Sequence, residues 1–252
     1  MPDQTYAAIE AARHRRRRRR RFRLPLRLIL ILILAAAGIE LLLSKQTPQC
    51  LQDLLLRNPE TSSYVQNYTG SHKADQTIDL SGDVVPGIVP HFLQWDQRWG
   101  YALYGGSKTE DMFGLSGCGP TALSMVTVAL TGDLDWNPKA VAEFAEENGY
   151  YRPGYGTAWS LMTEGSRELG LSCQEVPLHK ASMTAALDQG KLMIASVGPG
   201  DFTETGHFIV LCGWDGEAFE IRDSNSRSNT EKAWSYETLE PQIRGLWAFS
   251  RS

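Results

Sequence analysis

Seven consecutive arginines, Arg15 to Arg21, lead through Phe22-Arg23-Leu24-Pro25-Leu26-Arg27 into an apolar run, Leu28 to Leu43, interrupted in charge only by Glu40. This junction divides the chain into parts suited to different solvents. As a helix the run spans about 24 Å, short of a hydrocarbon core of about 30 Å; starting at Leu24 adds a turn if Arg27 snorkels to the headgroups. Residues 1–27 hold ten arginines against Asp3 and Glu10, a net of +8, so with −4 overall the other residues sum to −12. Positive charge before the span puts the N-terminus in the cytoplasm and residues 44–252 outside. The basic head then meets anionic lipid. Two other readings use the same residues: Ala35-Ala36-Ala37 offers a signal-peptide cleavage pattern, and the arginines resemble a nucleic-acid or nuclear-targeting patch. The acidic balance of the body argues against nucleic acid as its partner, because phosphate contacts need Lys and Arg on the folded surface.

Residues 44–87 read as a stalk with a short helix. Cys50 to Leu56 has helical apolar spacing and Asn58-Pro59 stops it, while Thr61 to Ser81 is polar and turn-rich. Within that stretch Tyr64, Val65 and Tyr68 are able to pack on a domain. Residues 88–252 have the density of one folded domain, and all seven tryptophans fall between Trp95 and Trp247.

In this domain helices come first and strands later. Gly119 to Leu130 reads as a buried helix with Pro120 in its first turn and Thr131-Gly132 ending it. Asn137-Pro138 caps a second helix that Gly149 closes, and Thr157 to Leu169 reads as a third, stopped by Gly170. A strand follows over Leu171 to Val176, then a short helix over Ala181 to Asp188. Leu192 to Val197 and His207 to Trp214 are stronger strands, and Ala218 to Asp223 returns from a turn at Asp215-Gly216. The pattern predicts an α+β fold with a helical half packed on an antiparallel sheet.

Gly117-Cys118-Gly119-Pro120 carries the most chemical information. A cysteine opening a helix sits among free backbone N–H groups at the positive end of the dipole, which favours thiolate and offers an oxyanion site. The flanking glycines let a substrate backbone come close. His207 opens an otherwise apolar strand, where a polar ring needs a partner. His91 is its competitor; His14 lies in the arginine run, His72 in the stalk and His179 at a helix start. Asp223 continues the apolar face of Phe219 and Ile221, and a carboxylate there is costly unless paired. A three-residue loop, Asp215 to Glu217, pairs Trp214 with Ala218 and puts His207 opposite Asn225 and diagonal to Asp223; a two-residue loop flips the parity. Asp223 is therefore the first candidate to hold His207, and Asn225 the second.

A cysteine opening a helix, with His and Asp on later strands, is the papain-like arrangement. Residues 88–249 resemble the bacterial peptidases related to the bacteriocin-processing, double-glycine-leader family, in its stand-alone branch. The resemblance is carried by Val89-Pro90-His91-Phe92-Leu93-Gln94-Trp95-Asp96-Gln97-Arg98-Trp99-Gly100, by Gly117-Cys118-Gly119-Pro120-Thr121-Ala122, by Gly206-His207-Phe208-Ile209-Val210 and by Asp223. It implies a papain-like cysteine peptidase with catalytic Cys118, His207 and Asp223, and Gln94 as second oxyanion donor. Twenty-three residues separate Gln94 from Cys118, more than in the compact papain pattern, so Gln97 stays open for that role.

The expectation is a membrane-anchored, extracytoplasmic thiol hydrolase cleaving peptide bonds. An amidase or transpeptidase on cell-wall peptides, and a non-catalytic surface binding module, are the other readings. No cofactor and no metal are expected: Cys50, Cys173 and Cys212 lack zinc-ligand spacing, and no glycine loop matches a phosphate cradle. Outside the cell two of these cysteines could form a disulfide, with the pairing left open.

Overall fold

The computed structural model describes residues 47–70 and 77–252. The basic head 1–27, the expected transmembrane helix 28–43 and His72 lie outside them, and among the described residues no helix is long and apolar enough to cross a membrane.

Gln49–Ser252 form one compact unit. It begins with helix α1, Gln49–Arg57, and a short helix α2, Ser62–Gln66. The segment expected as a stalk thus opens inside the folded body: Leu51, Tyr64 and Val65 are buried against Leu93, Trp95 and Met112. The cause is apolar spacing in Cys50 to Leu56 that needs a surface to cover, and Tyr64 adds a stacked contact with Tyr101 at 4.6 Å between ring centres.

Helix α3, Phe113–Ser116, runs into the buried helix α4, Cys118–Thr131, which a left-handed Gly132 closes. Helix α5, Pro138–Glu147, is capped by the Asn137 side chain, which accepts from the N–H groups of Lys139 and Ala140. The expected helix over Thr157–Leu169 is shorter. Tyr151–Arg152 (β1) and Gly156–Thr157 (β2) pair as a small antiparallel ribbon, and the helical stretch is a π turn, Leu161–Gly165, continued by α6, Ser166–Glu168. Thr157 is held in the ribbon by Tyr104, whose hydroxyl lies 2.9 Å from Thr157 Oγ1.

The main sheet comprises β3, Leu171–Glu175, β4, Leu192–Val197, β5, His207–Trp214, β6, Phe219–Asp223, and β7, Ile243–Arg251. Helix α7, Lys180–Asp188, joins β3 to β4, and α8, Arg227–Thr230, and α9, Tyr236–Leu239, fill the path from β6 to β7. The strand order is β3-β7-β4-β5-β6, all antiparallel. The predicted α+β class with an antiparallel sheet therefore describes this unit. Strand β7 has no counterpart in the sequence-based reading, although it lies between β3 and β4. Its run Leu246-Trp247-Ala248-Phe249 is too short to separate strand from buried helix by periodicity.

Two cores flank the sheet. Phe208 and Val210 of β5 join Leu123, Val126 and the helical half, while Ile209 and Leu211 join Phe219, Ile221 and Trp234 on the other side. A strand covered on both faces reads as a continuous apolar run, which is how Leu192 to Val197 appears in the sequence.

Candidate active site

Cys118 is the first residue of α4, and its N-cap is Gly117, which has no side chain to bond the first-turn N–H groups. Pro120 supplies no N–H, so the open donors there belong to Cys118 and Gly119. The flanking glycines answer to packing. A Cβ on Gly119 would lie 2.7 Å from Thr157 Cγ2, and one on Gly117 would lie 2.6 Å from the Phe113 ring. Close approach of neighbouring side chains, and not only of a substrate, thus requires glycine at both positions.

His207 begins β5 and is buried. Its Nε2 lies 2.7 Å from Asp223 Oδ1, and the Cys118 side chain lies near enough to contribute to the raised pKa of the ring. With Nε2 committed to Asp223, Nδ1 is the ring nitrogen left for a further partner. Burial alone would lower the pKa of His207. The charge and hydrogen bond of Asp223, followed by the Cys118 side chain, reverse this and hold it well above the ordinary imidazole range.

Asp223 ends β6. Its Oδ1 also accepts from the backbone N–H of Asn225 at 2.8 Å, and Oδ2 accepts from Asn229 Nδ2 at 2.9 Å. Burial would raise the carboxyl pKa, but the charge and hydrogen bond of His207 and the two asparagine donors hold it below its usual value.

The register that brings these residues together has two sources. The turn leaves Trp214 opposite Phe219, one residue longer than the three-residue loop considered from sequence, and an irregularity at Cys212 then removes the offset. Ile209 consequently faces Asp223, so His207 and Asp223 share one face of the sheet in a diagonal relation. Asn225 supplies a backbone N–H to the carboxylate and, through its carbonyl, accepts from Trp95 Nε1 at 3.0 Å.

Gln94 reaches the site from a distant part of the chain because residues 89–95 run beside 222–225. Arg222 Nε donates to Val89 O, and Gln94 N donates to Ser224 O. The Gln94 side chain is buried; its Nε2 donates to Gly114 O at 3.0 Å and its Oε1 accepts from Ser224 Oγ at 3.1 Å. One hydrogen of that NH2 group is left for another acceptor. Gln97 is exposed and its Oε1 accepts from Asn67 Nδ2, so it is not among the residues that line the cleft.

Cys118, His207, Gln94 and Asn225 open on one cleft of about 620 Å³. Its other walls include α1, Asn58, Glu110, Leu115 and the loop Gly200–Gly206. His91 is not at the thiol: its Nε2 lies 2.7 Å from the backbone oxygen of Asp223, and burial lowers its pKa. His179 is exposed at the start of α7. Cys50, Cys173 and Cys212 are free, as is Cys118. Sequence reasoning did not find Asn229, whose side-chain amide holds Asp223 from α8; the Asn-x-x-x spacing after a strand carries no chemistry of its own.

No curated protein matches the chain. The peptidase domain of Streptococcus ComA, a bifunctional ABC transporter involved in a quorum-sensing pathway, is a similar solved structure. It is 20% identical, with a TM-score of 0.43, over 60% of this chain and 98% of that one. A putative C39-like peptidase from Bacillus anthracis is similar at 15% identity and a TM-score of 0.42, over 65% of this chain and 95% of that one. The model of the Peptidase_C39-like family matches residues 88–248, which include every side chain placed at the thiol above, and the chain belongs to that family.

Proposed function

We propose that the chain is a cysteine peptidase of the papain-like arrangement, in which Cys118 is the nucleophile, His207 its proton carrier, Asp223 the acceptor that orients the imidazole and Gln94 an oxyanion donor. The observation that carries this reading is the buried His207–Asp223 hydrogen bond at 2.7 Å together with Cys118 and His207 lining one cleft. In the first step the Cys118 sulfur bonds to the scissile carbonyl carbon, and the carbonyl oxygen takes up the electron pair. The N–H of Cys118 and the uncommitted hydrogen of Gln94 Nε2 are suited to that oxygen. The His207 proton passes to the leaving amine as the C–N bond breaks. Water then attacks the thioester, giving its proton to His207, and the acid leaves with the thiol restored.

Asp53, Glu110, Asp201 and Glu204 line the cleft against Arg57, itself paired with Glu204, and the protonated His207. This balance favours neutral or basic peptides over acidic ones. The arginine head and the run Leu28 to Leu43 support a single-pass, membrane-anchored protein with residues 44–252 outside the cytoplasm. Protease added to intact cells is expected to digest that region, and its protection would overturn the topology.

The functional test uses residues 44–252 with unstructured peptides and, in parallel, with cell-wall peptides. Hydrolysis of the first set is expected, and its loss in Cys118→Ala and in His207→Ala while both variants fold. Cleavage confined to the cell-wall set would move the reading to an amidase. Iodoacetamide labelling of Cys118 that His207→Ala leaves unchanged would remove the nucleophile.

A further inference from the structure

Glu60 precedes the family-matched span by 28 residues, yet its carboxylate binds the loop that follows Asp223. It accepts from Ser226 Oγ at 3.0 Å, from Arg227 N at 2.8 Å and from Ser228 N at 3.1 Å. Asn58 extends the attachment: its Oδ1 accepts from Glu60 N, and its Nδ2 donates to the carbonyl of Asn225. Residues 225–229 are the same ones that hold the Asp223 carboxylate. Apart from His207, its hydrogen bonds come from Asn225 N and Asn229 Nδ2, the two residues that bracket the stretch bound by Glu60.

A carboxylate on the surface that only capped the four-residue helix α8 would add a little stability and nothing else. Here the cap has a second consequence. The two donors fix which way the Asp223 oxygens point, and Asp223 in turn fixes the plane of His207 and sustains its raised pKa. A loop of polar residues, Asp223-Ser224-Asn225-Ser226-Arg227-Ser228-Asn229, has no apolar side chain to anchor it, so its conformation depends on such bonds.

We propose that Glu60 is a positioning residue for the hydrolytic reaction: through Ser226, Arg227 and Ser228 it fixes the Asn225 and Asn229 donors on Asp223, and thereby the orientation of His207. This rests on the cysteine peptidase reading. It makes the segment before the family's span part of the catalytic unit, since Asn58 and α1 also wall the cleft.

The test compares Glu60→Ala, Glu60→Gln and Tyr64→Phe in residues 44–252. Glu60→Ala is expected to lower kcat by about 10- to 100-fold with KM little changed, as for a small misplacement at a distance from the chemistry. The alkaline limb of its kcat/KM profile is expected to move to lower pH, because a less constrained Asp223 supports the imidazolium less well. Glu60→Gln keeps one acceptor oxygen and is expected to recover part of both, and it carries the test should Glu60→Ala not fold. Tyr64→Phe removes the hydroxyl bond to Gly100 O in the same segment; it is expected to lower Tm and leave the pH limb in place. Wild-type kcat and pH limb in both Glu60 variants would overturn the proposal. Cys118 alkylation separates that outcome from failure of the peptidase reading. A wild-type rate that depends on His207 but not on Glu60 overturns the positioning role alone, whereas a rate indifferent to His207 overturns both.

Discussion

His207 Nε2 lies 2.7 Å from Asp223 Oδ1, and the two residues are 6% and 1% exposed. A buried pair of this kind is costly to break from one side, since removing either partner leaves the other without compensation. Its two halves also make stability depend on pH in opposite senses.

In the folded chain His207 is pushed up to about 10 from an ordinary value near 6.5. The folded state therefore binds more protons than the unfolded state between those values. The contribution of His207 is fully present below pH ~6.5 and is lost as pH rises toward its folded pKa. Asp223 is lowered, so its contribution is present above the ordinary carboxyl range of about 3.9 and is lost as pH falls through its folded pKa. Urea midpoints are expected to be highest between about pH 4 and 6.5 and to decline between pH 7 and 10. Asp223→Asn should flatten the alkaline decline. An equal decline in that variant would show that another group sets it.

Gly119→Ala pits two local effects against each other. Alanine in a helix is worth up to about 1 kcal/mol over glycine. Its Cβ, however, would stand 2.7 to 2.8 Å from three atoms of Thr157, a buried side chain tied to Tyr104. Overpacking of this kind costs about 1–3 kcal/mol. The clash is expected to win, giving a lower urea midpoint and lower activity, because relief requires moving either the β1–β2 ribbon or the start of α4. A midpoint at or above wild type would show that the ribbon yields freely.

Much of this arrangement was legible because its signals are local. Gly132 and Asn137-Pro138 mark helix ends through backbone geometry, and Phe219, Ile221 and Asp223 declare one face by alternation. The diagonal placement of His207 and Asp223 was also accessible, but by a register whose cause lay elsewhere. The sequence leaves a two- or three-residue turn open; the chain uses a longer one and restores the three-residue register at Cys212. Neither the irregularity nor the insertion of β7 between β3 and β4 has a local signature, since both are settled by packing among strands far apart in sequence. The same holds for Glu60 and Asn229, ordinary polar residues whose partners are set by tertiary contact.

Leu51 tests whether the segment before residue 88 belongs to the folded unit. It is fully buried among Tyr64, Val65, Leu93, Trp95 and Met112. Leu51→Ala is expected to cost about 2–5 kcal/mol, the range for a large-to-small change at a site that cannot collapse. A chain starting at residue 88 should lose more, because Leu93, Trp95 and Met112 then face water. Equal urea midpoints for residues 47–252 and 88–252 would reduce the segment to a stalk after all.

The last prediction concerns the oxyanion donor. Gln94 is buried, lines the cleft with Cys118 and has one amide hydrogen engaged by Gly114 O, so that its second hydrogen is free for a developing oxyanion. Gln97 is exposed and bonded to Asn67. Gln94→Ala is therefore expected to lower kcat by roughly 10- to 1000-fold, the span for loss of one such donor, with a smaller change in KM. Some loss of stability accompanies it, because Gly114 O and Ser224 Oγ lose their partner. Gln94→Glu checks the sign of the charge effect. It keeps the acceptor for Ser224 but offers Gly114 O no donor and brings negative charge where the oxyanion forms, so it should be at least as inactive as the alanine variant, with no gain in stability. Full activity in Gln94→Ala, together with loss in Gln97→Ala, would transfer the role to Gln97.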